Sequence, residues 1–389
     1  MTRASQSGAA SGAARSIADV VAAHGVVVCA GSGGVGKTTT AAAIGLLGAA
    51  TGRRTIVLTI DPAKRLADAL GIAELGNEPT PVVVDEKGSL AAMMLDQKGA
   101  WDALVEHYTE SEEARDRILA NSFYQHLSGT FAGSQEYMAI EQLAQLNASG
   151  DYDLIVVDTP PTHHALDFLD APARLGNFLD RSVLKWFVRP YMSAGWSGLQ
   201  LVNRTAGALL RRLEDATGVA ALAEVSDFFN AMSKLFEGWD DRVQRVEKLL
   251  RSRRSAFLLV ATPEEQVLSE GEYFCSKVEE HSIALRGVIF NRVQFESAAE
   301  LGRVDEQRLE GLLQRAVASA PVRRRLVRNF LRYETQARGD QLRIESFRDQ
   351  LPASLPVASI PNFEEDLHDL GGLRRVMQRL LVAGDDSAP

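Results

Sequence analysis

The fold of this chain is decided by the stretch Gly31-Ser32-Gly33-Gly34-Val35-Gly36-Lys37-Thr38. An apolar run at residues 26–30 precedes it, and residues 39–50 favour a helix. A strand, a glycine loop and a helix in this order are the context in which the spacing G-x-x-x-x-G-K-[ST] forms a phosphate-binding loop. The glycines let backbone N–H groups surround a polyphosphate, and the start of the helix adds partial positive charge. The sequence therefore predicts that this loop, together with Thr39, binds the phosphates of a nucleotide.

Short apolar runs alternate with helical segments along the rest of the chain. Most of these runs are continuous rather than alternating, which is typical of strands buried on both faces of a parallel sheet. Strands separated by helices predict an α/β fold of the P-loop NTPase type, with a doubly wound, mostly parallel sheet. The strands are expected at residues 26–30, 54–60, 91–95, 152–158, 256–261, 286–291 and 357–360.

The domain organisation follows from where strands are missing. Residues 165–254 hold no convincing strand and are predicted to form a helical insertion subdomain. The P-loop domain then comprises residues 19–164 and 255–384, with a helical segment at 100–147. Residues 1–18 are rich in Ala, Ser and Gly without a continuous apolar segment, so we expect a disordered tail and no signal peptide.

Composition and charge indicate a globular protein and disfavour nucleic acid and anionic lipid as partners. The chain has 389 residues, of which 46% are hydrophobic and 24% charged, as in ordinary globular proteins. Its net charge of −9 does not favour nucleic acid or anionic lipid as a partner. No run approaches the ~20 apolar residues that a membrane span needs. We therefore expect a cytoplasmic protein, with membrane contact at most peripheral.

Two aspartates stand at the ends of predicted strands, where a parallel sheet binds its ligands. Asp61 follows the second strand and Asp158 ends the fourth. Four apolar residues followed by Asp158 resemble a Walker B strand, so we expect this carboxylate and the Thr38 hydroxyl to hold Mg²⁺. Lys37 should reach the β- and γ-phosphates. Asp61 has a second interpretation, as the N-cap of a helix that starts at Pro62.

The inner residues of the loop resemble the deviant Walker A loop of a group of dimeric ATPases. This group includes MinD/ParA, nitrogenase iron protein, the arsenite-pump ATPase and the guided-entry ATPase for tail-anchored membrane proteins. Its members usually carry Gly-Lys-Gly-Gly-x-Gly-Lys, and the first lysine reaches the partner's nucleotide across the dimer interface. Ser32 occupies that position here. The resemblance implies a dimeric ATPase in which this chain lacks the trans-acting lysine.

Two further segments resemble the arsenite-pump and guided-entry branch. Thr59-Ile60-Asp61-Pro62-Ala63 resembles its switch I motif S/T-x-D-P-A, in which the Asp orients or deprotonates the attacking water. From Asp158 onward the chain resembles the switch II motif D-T-A-P-T-G-H-x-x-R-x-L. The departures are Pro160, His163 and Asp167, which stand for Ala, Gly and Arg. The resemblance makes Asp61 and Lys37 the predicted catalytic residues.

The adenine side of the site is assigned by resemblance as well. Asn291 ends the sixth strand, where the family has an Asn that hydrogen-bonds the base, and Pro361 lies in a turn similar to the family's late proline turn. Over residues 26–380 the chain is identified as a member of the arsenite-pump/guided-entry type ATPases. It looks most like bacterial "anion-transporting ATPase" paralogues that occur beside a lysine-bearing sister. ATP and Mg²⁺ are the implied substrate and cofactor.

The cysteines and the predicted insertion indicate which metals and partners the chain can bind. Cys29 and Cys275 lie in different elements and form no Cys-x-x-Cys pair, so we expect neither a thiolate metalloid site nor a zinc-clamped homodimer. The insertion is rich in aromatic and aliphatic residues. They either form a groove for a hydrophobic helical client or membrane protein, or pack against one another. The basic segment 373–381 either contacts a membrane or packs on the sheet.

Three functions remain open from the sequence. The first is a dimeric ATPase switch coupled to a helical site for a client or partner. The second is the soluble energy subunit of a membrane anion transporter. The third is an ATP-binding regulatory subunit with low intrinsic hydrolysis. Because Ser32 removes one stabilising charge, we expect a heterodimer with a lysine-bearing paralogue, or a homodimer, and weak ATPase activity without the paralogue.

Overall fold

The computed structural model describes residues 16–61, 64–109, 111–122, 124–125, 128, 134–160, 239–297, 305–365, 367 and 369–382. Its strands are β1 (Val26–Ala30), β2 (Arg54–Thr59), β3 (Thr80–Val82), β4 (Ser89–Met94), β5 (Leu154–Asp158), β6 (Ser255–Ala261), β7 (Leu285–Val293) and β8 (Val357–Pro361). Its helices are α1 (Ile17–Ala23), α2 (Lys37–Ala50), α3 (Arg65–Leu70), α4 (Gln97–Tyr108), α5 (Glu112–Leu119), α6 (Ser134–Ser149), α7 (Trp239–Leu250), α8 (Glu265–Glu280), α9 (Glu306–Leu313), α10 (Ala320–Arg348) and α11 (Leu370–Leu381).

The strands form one eight-stranded sheet in the order β3-β4-β2-β5-β1-β6-β7-β8. All neighbouring strands are parallel except β3 and β4 at one edge. The predicted α/β fold with a doubly wound, mostly parallel sheet is confirmed. Strand β3 was not predicted, because it has only three residues and contains Pro81, and both properties weaken a strand signal.

Helices cover both faces of the sheet, and alternate strand residues face alternate layers. On one face, Val26 and Val28 of β1 pack in a core with residues of α6, α7, α8 and α10. On the other face, Val27 and Cys29 pack with α1, α2, α3 and α11. The central strands β1, β5 and β6 are buried along their whole length. Burial on both faces explains why these strands are continuous apolar runs in the sequence.

The N-terminal boundary differs from the predicted tail of residues 1–18. Helix α1 begins at Ile17, and Ser16 and Asp19 form a reciprocal capping box, with hydrogen bonds of 3.1 and 3.0 Å between side chain and backbone. Ile17 is fully buried. Capping and burial together order these residues. The remainder of the predicted tail, residues 1–15, lies outside the described residues.

The predicted insertion lies mostly outside the described residues, which resume at Trp239. Helix α7 occupies its C-terminal part, and Val246 and Leu250 are buried in the core beside the sheet. The end of the 165–254 segment is therefore part of the helical layer on the sheet. The insertion subdomain as a whole, like the rest of the domain division, remains a prediction.

The C-terminal helix α11 packs on the sheet. Its apolar residues Leu373, Val376 and Leu380 are buried in the same core as α2. Arg374, on its other side, pairs with Glu86 at 3.2 Å. Of the two interpretations of this basic segment, the structure thus supports packing. Within the described ranges, no helix combines the length and apolar character needed to cross a membrane.

Candidate nucleotide-binding site

A cavity of about 520 Å³ lies at the carboxyl ends of β1, β2, β7 and β8. The order β5-β1-β6 leaves a crevice beside β1, and ligands of open α/β sheets bind in such crevices. The cavity brings together predicted residues from four separate parts of the sequence. These are Gly33, Gly34, Gly36, Lys37, Thr38, Thr39, Asp61, Asn291 and Pro361. Of the other predicted site residues, Asp158 and Ser32 contact this group through hydrogen bonds.

The glycine loop needs a residue without a side chain at Gly36. Its φ of 89° is left-handed, and a Cβ at this position would lie 2.1 Å from Nδ2 of Asn291. Gly34 is also left-handed, with a φ of 77°, but a Cβ there would meet nothing within 4 Å. Substitutions at the two positions therefore distinguish the cost of backbone strain from the cost of a steric clash.

We expect Gly36→Ala to lower the free energy of unfolding by about 3 kcal/mol, and Gly34→Ala by about 1 kcal/mol. Both variants carry the strain of a left-handed Ala, but only Gly36→Ala must also displace Asn291. Denaturant unfolding of the two variants and the unmodified chain measures the difference. Equal losses would show that accommodating the added methyl group beside Asn291 costs nothing.

Lys37 is folded back into the loop. Its side chain is buried, and its Nζ donates a 2.8 Å hydrogen bond to the Ser32 carbonyl. Burial lowers the pKa of this ammonium, and the carboxylates of Asp158 and Asp61 oppose that shift. A buried cation of this kind is attracted strongly to a polyphosphate, because it has few competing water contacts.

Two threonine side chains converge on the carboxylate of Asp158. The hydroxyls of Thr38 and Thr59 donate to its Oδ2 at 2.8 and 2.9 Å. Its Oδ1 is buried and has no hydrogen-bond partner among the described residues. Burial raises the pKa of this carboxyl to about 6, although the hydrogen bonds from Thr38 and Thr59 oppose the shift. A buried, unpaired carboxylate oxygen beside a threonine hydroxyl fits Mg²⁺ or one of its water ligands.

Asp61 is connected through Thr59 to the carboxylate of Asp158. Its backbone N–H donates to Thr59 Oγ1 at 3.3 Å, and the same hydroxyl binds Asp158. Its carboxylate lies 3.4 Å from the guanidinium of Arg65. The helix that follows begins at Arg65 with Lys64 at the N-cap. Asp61 is therefore not the N-cap of α3, and its carboxylate lines the cavity beside Arg65.

Asn291 joins the loop to the far side of the cavity. Its Nδ2 donates to the Val35 carbonyl at 2.8 Å, and its Oδ1 accepts from the backbone N–H of Arg292 at 3.0 Å. The pairing of β7 with β8 is irregular here, and Arg292 has a left-handed φ of 57°. A side-chain amide has two N–H groups and two lone pairs, so one of each remains for a base. The role of Asn291 in adenine binding stays a prediction.

Ser32 makes a contact that the sequence did not indicate. Its side chain is buried, and its hydroxyl donates to Oε2 of Glu270 on α8 at 2.5 Å. The two residues are 238 positions apart. A hydrogen bond this short is typical of a hydroxyl bound to a carboxylate. Ser32 therefore faces its own chain.

Several other residues of the cavity were not predicted from the sequence. Arg292 and Phe363 line it beside Asn291 and Pro361. Phe363 could have been found from the proline turn that precedes it, but no local pattern marks Arg292 or Glu270. The part of switch II from residue 161 onward, with His163 and Asp167, lies outside the described residues.

Comparisons with known proteins show that this chain is similar to ATPases. Residues 24–311 match the family model described as anion-transporting ATPase. The ATPase GET3 of Malassezia globosa is 27% identical over 270 residues, which are 69% of this chain and 72% of the relative. The ATPase ASNA1 homolog 1 of Paramecium tetraurelia is 26% identical over 269 residues, 68% and 74% of the two chains. The ATPase ARSA2 of Chlamydomonas reinhardtii is 28% identical over 282 residues, 72% and 70%.

Proposed function

This chain belongs to the anion-transporting ATPase family, and we propose that its ATP hydrolysis drives a Mg²⁺-dependent dimeric switch coupled to a helical site for a client or partner. The observation that carries the proposal is that Lys37, Thr38 and Asp61 line one cavity, and that Asp158, which accepts from Thr38, keeps a buried oxygen without a partner among the described residues. Those are the parts that phosphoryl transfer to water requires: a phosphate cradle, a cation, a metal site and a carboxylate for the water.

Each side chain has a distinct task in this proposal. Lys37 exchanges the Ser32 carbonyl for the β- and γ-phosphates and neutralises their charge. Thr38 and Asp158 hold Mg²⁺, which when bound neutralises charge on the phosphate oxygens. Asp61 accepts a hydrogen bond from the attacking water and orients it towards the γ-phosphate. Asn291 and Pro361 bind the adenine.

The partner and the client are the finer parts of the proposal. Ser32 supplies no cation, so we propose that the active dimer pairs this chain with a lysine-bearing paralogue, the homodimer being the alternative. The apolar residues of the predicted insertion, 165–254, would hold a hydrophobic helical segment. Purification of the chain from native cells tests both parts. Recovery with a membrane transporter and without a lysine-bearing paralogue would favour the role of a transporter energy subunit.

Asp61→Asn is expected to lower turnover by about 10²-fold or more while ATP affinity stays within a few-fold. The amide keeps the size of the carboxylate but loses the charge that positions water. Single-turnover hydrolysis and calorimetric titration with ATP measure the two quantities separately. Asp68, an exposed carboxylate of the same cavity, provides the matched control. Its Asn variant should hydrolyse ATP nearly as fast as the unmodified chain. Wild-type turnover in Asp61→Asn would remove the water-positioning role.

A further inference from the structure

Arg65 is a cation of the nucleotide cavity that pairs with Asp61. It is the first residue of α3, it lines the nucleotide cavity, and its Nη1 lies 3.4 Å from Oδ2 of Asp61. The neighbouring Lys64 is exposed and does not belong to the described lining of the cavity. Of the two basic residues that follow switch I, Arg65 lines the described cavity and Lys64 does not.

The cations that line the described part of the cavity are Lys37, Arg65 and Arg292. Lys37 belongs to the loop that holds the phosphates, and Arg292 adjoins Asn291 on the proposed adenine side. Arg65 is the cation on the side of Asp61. Transferring a phosphoryl group spreads negative charge over its equatorial oxygens, and a nearby guanidinium stabilises that charge.

Arg65, Lys37 and Asp61 all line the same cavity. Arg65 and Lys37 thus repel each other across the cavity, and a polyanion between them would relieve the repulsion.

Arg65 can exchange its contact with Asp61 for a contact with another anion at little cost in stability. The Arg65 side chain is 66% exposed, and the pair is four residues apart on the surface. Exposed ion pairs of this kind contribute little to stability. A phosphate offers the guanidinium two parallel hydrogen bonds, which are stronger than a single contact at 3.4 Å.

We propose that Arg65 is a γ-phosphate-binding residue that is held by Asp61 and transferred to ATP when ATP binds. The transfer frees the Asp61 carboxylate to accept a hydrogen bond from the attacking water. ADP, which lacks the γ-phosphate, leaves the pair in place. The cation acts within its own chain and is therefore separate from a lysine of the partner. This inference rests on the proposed function, because it assumes that ATP occupies the cavity.

The test is the discrimination between ATP and ADP by the isolated chain. Calorimetric titration with a non-hydrolysable ATP analogue and with ADP is carried out on the unmodified chain, Arg65→Gln, Arg65→Lys and Lys64→Gln. Arg65→Gln should weaken the analogue about tenfold or more, which is the effect of losing a hydrogen bond to a charged group. ADP affinity should stay close to that of the unmodified chain. Arg65→Lys should recover part of the loss, and Lys64→Gln should change neither affinity.

A double-mutant cycle with Asp61→Asn adds a second readout. Removing Asp61 frees Arg65, so Asp61→Asn should tighten the analogue by a few-fold in the presence of Arg65 and have no such effect in Arg65→Gln. Equal loss of analogue and ADP affinity in Arg65→Gln, or no loss of either, would overturn the role of Arg65 while leaving the proposed function intact. Failure of the unmodified chain to bind either nucleotide would overturn both.

Discussion

Addition of a lysine-bearing sister subunit is expected to raise the ATP turnover of this chain on the order of 10³-fold. The loop of this chain has Ser32 where the family's trans-acting lysine stands, so a homodimer would have that cation at neither site. The sister would supply its lysine to the nucleotide held by this chain, beside Lys37 and Asp61. Steady-state hydrolysis by the isolated chain, the sister and their mixture measures the increase.

The structure adds a condition to the corresponding rescue experiment. Ser32→Lys should partly restore the activity of the isolated chain if the chain forms a homodimer. The introduced ammonium would, however, start beside Glu270, whose carboxylate accepts the Ser32 hydroxyl at 2.5 Å. An ion pair within the chain would hold it back from the partner's nucleotide.

The double variant Ser32→Lys/Glu270→Gln should therefore hydrolyse ATP faster than Ser32→Lys alone, and Glu270→Gln alone serves as the control. Sedimentation of each variant reports whether the homodimer forms. Full activity of the isolated unmodified chain, unchanged by any paralogue, would reject the asymmetric dimer. The cation would then have to come from this chain itself, and Arg65 is the described residue in position to supply it.

Lys37→Ala is expected to lower turnover by about 10³-fold or more and to weaken ATP binding. The variant loses the buried cation of the loop and leaves the Ser32 carbonyl without the hydrogen bond from Nζ. Calorimetry with ATP and ADP and a hydrolysis assay on the same preparation separate the two effects. Lys64→Ala, which removes an exposed lysine outside the described lining of the cavity, is the matched control.

Two outcomes would contradict the assignment of the loop. If the unmodified chain bound neither ATP nor ADP at millimolar nucleotide, residues 31–39 would not be a phosphate-binding loop. If Lys37→Ala hydrolysed ATP at the rate of the Lys64→Ala control, another group would carry the cationic role. Far-ultraviolet circular dichroism of Lys37→Ala checks that its α/β fold is retained.

The parts of the site that are contiguous in the chain could be predicted from the sequence. Strand, loop and helix follow one another between residues 26 and 50. Each of them is indicated by local signals, namely the hydrophobic periodicity and the positions of the glycines. Asp61 and Asp158 were found in the same way, because a carboxylate that follows a buried parallel strand always emerges at the ligand edge. The sheet, the family and the cavity residues of the loop follow from such local signals.

Contacts between distant segments were decided only by the tertiary structure. The hydrogen bond of Ser32 to Glu270 joins residues 238 positions apart, and that of Asn291 to Val35 joins residues 256 apart. Both depend on the order of the assembled sheet, in which β6 lies beside β1 and β7 beside β6, and no local pattern encodes that order. The left-handed backbone of Arg292 likewise depends on packing. The sequence by itself thus determined which chemistry the loop and strand ends can perform, because those residues act from fixed positions in a local motif. The direction in which Ser32 and Asn291 turn was decided by the folded chain, because these side chains orient towards partners that only the assembled sheet supplies.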